Sequence, residues 1–169
     1  MYKRQLLNAT ARYNHEDVGL AICMGDRGHL YKKALNLLRE HRKNLSEGVN
    51  FVKENGMITL KNIQYFNAGD RIKETIVGIV AGMSFENRNM PIIAFADSEN
   101  GLKVSARGTQ NLVRKGLNLA QAIKECAERV GGSGGGHNIA AGATIPKNSL
   151  DEFLSLLDRK IGEQLGREN

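Results

Sequence analysis

Residues 131–143 read Gly-Gly-Ser-Gly-Gly-Gly-His-Asn-Ile-Ala-Ala-Gly-Ala, and no other part of the chain has residue types so suited to chemistry. Gly134, Gly135 and Gly136 can adopt positive φ and expose successive backbone N–H groups, a concave nest whose natural guest is a phosphate. His137 closes the segment and can donate a hydrogen bond to the same anion. Small Ala140 and Ala141 let the chain pack closely under it. A second cluster lies upstream in Lys103-Val104-Ser105-Ala106-Arg107. Strand alternation would put Lys103, Ser105 and Arg107 on one face, where an ammonium, a hydroxyl and a forked guanidinium can grip phosphate oxygens. Asn111, Arg114 and Lys115 would extend that groove.

Other readings of these residues compete. A glycine cluster is often a flexible linker, yet linkers are rarely followed at once by a histidine and a small apolar strand. A dinucleotide-binding turn opens a helix after a strand, whereas this loop follows a helical pattern and precedes a strand. A metal role for His137 finds no convincing partner among His15, His29, His41 and the dispersed carboxylates. The alternating strand alone reads equally well as solvated surface.

Charge supports the phosphate reading. Lys and Arg number 24 against 18 Asp and Glu, a net charge of +6, which favours a polyanionic partner. Residues 101–115 and 130–150 contain no carboxylate, so both clusters sit in acid-free stretches. Aromatic content is 5% with no Trp, which argues against base stacking as the main mode of holding nucleic acid. Hydrophobic residues at 41% and charged residues at 25% exclude wholesale disorder and collagen-like composition. No apolar stretch approaches the roughly 20 residues of a membrane span, and no signal-like core follows the first residues, so a cytoplasmic protein with no membrane partner is expected. Cys23 and Cys126 lack zinc-site spacing and read as reduced core residues.

The elements that must position these groups follow from periodicity. Residues 1–14 look like a connector. Residues 15–24 read as a short helix capped by Asn14, and residues 29–54 as a long basic helix with apolar residues three and four apart. The functional reading of that helix is contact with nucleic acid; the simpler one is a solvated face. Strands are expected over residues 57–60 and 63–66, a helix over 70–82, a buried central strand over 92–96, and an alternating strand over 102–107 after the Asn100-Gly101 turn. A helix over 117–130, the glycine loop, a strand over 141–145 and a last helix begun by Asn148 or Ser149 complete the chain. The pattern implies an α/β domain, a mixed central sheet flanked by helices with a helical lead-in. Its expected divisions are 1–55, connector and long basic helix, and 56–169, the domain bearing both clusters.

The Gly134-Gly135-Gly136-His137 motif followed by Ala140-Ala141-Gly142, preceded by the Lys103–Arg107 strand, resembles the DHHA1 domain. That is the C-terminal substrate-binding half of DHH phosphoesterases, here most similar to archaeal RecJ-like single-stranded nucleic acid exonucleases. The resemblance covers the second half of the chain, and Asn8-Ala9 with Arg12 resembles the connector between the two halves. It implies an N-terminal DHH domain whose two divalent ions, manganese or magnesium, activate water for phosphodiester cleavage. It also implies a C-terminal domain that holds single-stranded DNA or RNA, with His137 and the glycine amides on a phosphate and Arg107 and Ser105 on the backbone or a base. This sequence has no Asp-His-His cluster, so no cofactor and no catalytic residue is expected within it, and the connector-like start favours a piece of a longer exonuclease. Other readings are the substrate domain of a short-oligonucleotide or cyclic-dinucleotide phosphodiesterase, and a non-enzymatic module that binds replication or repair proteins.

Overall fold

A computed structural model describes residues 2–167. The chain forms two compact units, Met1–Gly48 and Val49–Asn169. The division falls inside the long helix rather than in a loop.

In the first unit, α1 (Tyr2–Arg12) and α2 (Glu16–Cys23) pack with the start of α3 (His29–Asn55) around Leu6, Ala9, Val18, Ile22, Ala34 and Leu38. Residues 2–12, in which little period was expected, are therefore helical. Lys3, Arg4, Gln5, Leu6, Leu7, Ala9, Ala11 and Arg12 are good helix formers, and burial of Leu6 and Ala9 fixes the helix in place. Asn14 does not cap α2. It takes φ 57° in the tight turn between the helices, and His15 holds the cap position without a side-chain bond. Cys23 is exposed, which corrects its expected place in the core, because α2 buries Val18, Gly19 and Ile22 instead.

The second unit is built on a six-stranded sheet in the order β1-β2-β3-β4-β6-β5. The strands are β1 (Ile58–Thr59), β2 (Gln64–Asn67), β3 (Ile92–Ser98), β4 (Gly101–Arg107), β5 (Ser133–Gly136) and β6 (Ala140–Ile145). Only the β2–β3 pair is parallel. The fold is α/β with a mixed central sheet, as the alternation of patterns implies. One face carries Ile93, Phe95, Val104, Ala106, Ala143 and Ile145, and it packs on α6 (Leu119–Arg129) and α7 (Leu150–Gln164). Phe95 meets Phe153 edge to face at 6.1 Å. The other face is covered over β3 and β4 by the short helix α4 (Val77–Met83).

Two further expectations need correction. Helix in residues 70–82 is confined to α4, because residues 68 and 69 are still bonded to β3 and the chain then turns, Arg71 N–H donating to Ala68 O at 2.9 Å and Ile76 N–H to Lys73 O at 3.0 Å. Ala68 N–H donates to Phe95 O at 2.9 Å, and Asp97 N–H donates to Gly69 O at 2.7 Å. The glycine-dense segment is not a loop: residues 133–136 form the edge strand β5, paired to β6 from Ser133↔Thr144 to Gly136↔Ala141.

Candidate functional site

Register decides what each polar residue faces. Across β4, β6 and β5 the pairings align Lys103 with Thr144 and Ser133, and Ser105 with Gly142 and Gly135. Arg107 pairs with Ala140. The hairpin then closes on His137, whose N–H donates to Ala140 O at 2.8 Å while Ala140 N–H donates back at 3.2 Å. Directly opposed residues share a face, so Lys103, Ser105, Thr144, Ser133, Gly142 and Gly135 lie on the face opposite α6 and α7, with Arg107 and Ala140.

Beyond β4 that face is open. A Cβ placed on Gly135 would have nothing within 4 Å, and one on Gly142 would meet only Val104 O of the neighbouring strand, at 3.1 Å. Gly135, Gly142 and Ala140 thus make a floor almost free of side chains, edged by the polar residues of β4. The hairpin tip is held in place, since Asn138 O accepts from Leu119 N–H at 3.0 Å and Ile139 O accepts from Gly108 N–H at 2.8 Å. His137 is exposed at that tip.

At the β4 border, α4 lies very close to the sheet. A Cβ on Gly78 would stand 3.0 Å from Ser105 Oγ and 3.1 Å from Arg107 Cζ, so both polar groups converge under a residue that has none. Arg107 Nη1 also donates to Ala106 O at 2.8 Å, a bond that lays the guanidinium along the strand. Ser105 is only 7% exposed, whereas Lys103 and Arg107 are half-buried. The polar face of β4 is therefore partly roofed rather than simply solvated.

The remaining expected residues are placed as follows. Gly134 and Gly136 turn toward the α6 side, where a Cβ on Gly134 would crowd Ala143 Cβ at 2.8 Å and Ile123 Cγ2 at 3.1 Å. Ala141 is buried in the core beneath the floor. Successive strand amides point in opposite directions, so those of residues 134, 135 and 136 do not converge as a nest would. With His137 and Ala140 as a hydrogen-bonded pair, the alternation gives Gly135 N–H to β6 and directs those of Gly134 and Gly136 to the free edge. That edge opens on a groove of about 560 Å³ lined by Lys124, Glu125 and Glu128 among others, and its carboxylates oppose an anion there. Asn111, Arg114 and Lys115 are exposed on α5 (Gln110–Arg114) and the turn after it. Gly78, Thr144 and Ser133 were not legible as site residues, because each joins the face only through pairing or helix docking distant in sequence.

Other reactive groups lie elsewhere. Cys126 is buried and its thiol is pushed up to about 11, by burial first and then by the nearby Glu125 charge, so it is a poor nucleophile. Among the described residues no group of three or more His, Cys, Asp or Glu could hold a metal ion. A divalent pair of the kind the resemblance implies thus does not fit the donors described here. No described helix is long and apolar enough to cross a membrane.

Residues 60–163 match the DHHA1 domain family, and those residues hold the whole sheet except β1. The chain belongs to the DHHA1 family. It is similar to an uncharacterized protein of Methanocaldococcus jannaschii, with 37% identity over 163 residues that cover 96% of this chain and 35% of that protein. The chain therefore spans about a third of the length of this curated relative. Among solved structures it is similar to exonuclease RecJ bound to manganese, with TM-score 0.75, 18% identity and coverage of 98% of this chain and 41% of that one. It is also similar to RecJ of Thermus thermophilus in complex with Mn2+, with TM-score 0.75, 17% identity and coverage of 94% and 23%. This DHHA1 domain thus shares its fold with part of RecJ exonucleases.

Proposed function

We propose that this DHHA1 domain holds single-stranded nucleic acid by its phosphates, across the open face of β4, β6 and β5. The observation that carries this reading is the floor of Gly135, Gly142 and Ala140 lying beside Ser105 and Arg107, which converge under Gly78. A sugar-phosphate chain needs such a surface: close approach to backbone without side-chain obstruction, and cations at the margin. Arg107 and Ser105 hold one phosphate, His137 approaches it from the hairpin tip, and Ala141 packs beneath. Gly135 serves as floor, and Gly134 and Gly136 shape the edge strand that carries it. The chain's net charge of +6 favours the same partner.

Hydrolysis then belongs to a metal-bearing DHH domain of the longer protein, N-terminal to this one, and a RecJ-like exonuclease is the parent activity. Fluorescence anisotropy with a labelled oligodeoxythymidylate tests the binding reading. Affinity is expected to fall steeply with salt, and Arg107→Ala or His137→Ala to weaken it by about 1–3 kcal/mol without unfolding the domain. Salt-insensitive binding, or full affinity in both variants, would refute it. Capture of a replication or repair protein that survives both substitutions would favour the interaction-module reading instead.

A further inference from the structure

The polar residues of β4 are spread along the whole length of the strand. Lys103 and Arg107 are four residues apart on one strand face, roughly 13–14 Å at about 3.4 Å per residue. The Arg107 guanidinium lies beneath Gly78, where Ser105 Oγ also converges, and its Nη1 donates to Ala106 O. Lys103 stands at the other end, in a row with the hydroxyl residues Thr144 and Ser133. Between the two ends lies the row of Ser105, Gly142 and Gly135, two of whose three members have no side chain. Among the described residues Lys103 takes part in no ion pair, although carboxylates engage Lys43, Lys124, Lys147 and Lys160. An ammonium and two hydroxyls, all from the two stretches that contain no carboxylate, form an oxyanion site in donor chemistry.

We infer that Lys103, Thr144 and Ser133 form a second phosphate subsite, which takes a phosphate further along the strand held at Arg107. This rests on the nucleic-acid reading and adds to it a length requirement. A stacked strand rises about 3.4 Å per nucleotide, so the Lys103 row lies about two stacked steps from Ser105 and about four from Arg107, the two residues that hold the first phosphate. A mononucleotide fills one subsite only. A pentanucleotide reaches both, with its intervening sugars over Gly142 and Gly135.

The test is anisotropy competition on this chain with 5′-phosphorylated deoxythymidine oligomers of one to six nucleotides, for the natural sequence, Lys103→Ala, Thr144→Val and Arg107→Ala. Affinity should rise with length and level off by about five nucleotides. Lys103→Ala should cut pentanucleotide affinity about tenfold, lower the salt slope by about 0.7, and leave mononucleotide binding unchanged. Thr144→Val, nearly isosteric, should reduce the same length gain. Equal losses for mononucleotide and pentanucleotide in Lys103→Ala would overturn the second subsite, as would an undiminished length gain. Inorganic tripolyphosphate competing as well as the pentanucleotide would overturn the strand as occupant. Arg107→Ala binding every oligomer normally would instead refute the underlying nucleic-acid reading, so the two failures are distinguishable.

Discussion

Gly78→Ala separates the site from the fold. The new methyl would stand 3.0 Å from Ser105 Oγ and 3.1 Å from Arg107 Cζ, tighter than ordinary contact, and closer still to Arg107 Nη2. Of these neighbours the guanidinium is the one able to yield, being the far end of a long, half-buried side chain. Alanine in place of glycine inside α4 contributes about 0.5–1 kcal/mol of helix stability. Crowding costs about 1–3 kcal/mol where nothing can move, and less where a flexible end swings aside. The two effects nearly cancel, so the melting temperature should change by less than about 4 °C. Binding should not be spared. Displaced Arg107 forfeits a charge-assisted hydrogen bond of about 1.5–3 kcal/mol, a loss of roughly tenfold to a hundredfold in affinity. The assay is anisotropy with a labelled pentanucleotide, paired with thermal melts followed by circular dichroism. The same substitution made in Arg107→Ala should add almost nothing, since both act through one group. Additive losses, a drop in melting temperature beyond about 10 °C, or unchanged affinity would each refute the reasoning.

The glycines of β5 should divide by face. Gly135→Val should leave thermal stability within about 1 kcal/mol, as its Cβ meets open space, yet obstruct the floor and weaken oligonucleotide binding. Gly134→Val should destabilise by about 1–3 kcal/mol through overpacking against Ala143 and Ile123; similar melting temperatures for the two variants would contradict the assigned faces. In the helical unit, His41 is buried beside Tyr13, with ring centroids 5.8 Å apart and Nδ1 unpartnered. Burial first, and then the Arg12 charge, hold its pKa below the ordinary 6.5. The unfolded chain therefore binds the proton more readily than the folded one. This contribution to stability is present in full above about pH 6.5 and is lost as pH falls below it. Hydrogen exchange of α1 and α3 amides at pH 7.5 and 5.5 should show faster opening at the lower pH after correction for intrinsic rates, and His41→Gln should flatten the difference. A difference of opposite sign, or one that persists in His41→Gln, would count against it.

Much of the fold was legible because its signals are local. Residues 29–54 show a helical period that matches α3 almost to the residue, and the buried strand at residues 92–96 proved to be the core of β3. Alternation along Lys103–Arg107 correctly set those three side chains on one face of β4. The errors share a cause. Helix α1 is built of good helix formers but has few apolar residues to mark it, and burial of Leu6 and Ala9 among other helices fixes it. Glycine makes a strand as unlikely as a loop is likely by propensity, yet residues 133–136 pair with β6 because the hairpin closed by His137 and Ala140 brings them there.

The amino-acid order by itself determined the period of most elements, the two acid-free stretches and the Gly-Gly-Gly-His motif, because each depends on neighbours a few bonds away. Tertiary structure alone decided that Gly135 faces the site while Gly134 faces the core, that Lys103 shares a row with Thr144 and Ser133, and that Gly78 rests on Arg107. Strand register and helix docking are set by contacts between segments tens of residues apart, where shifting the pairing by a single residue would carry every side chain to the opposite face.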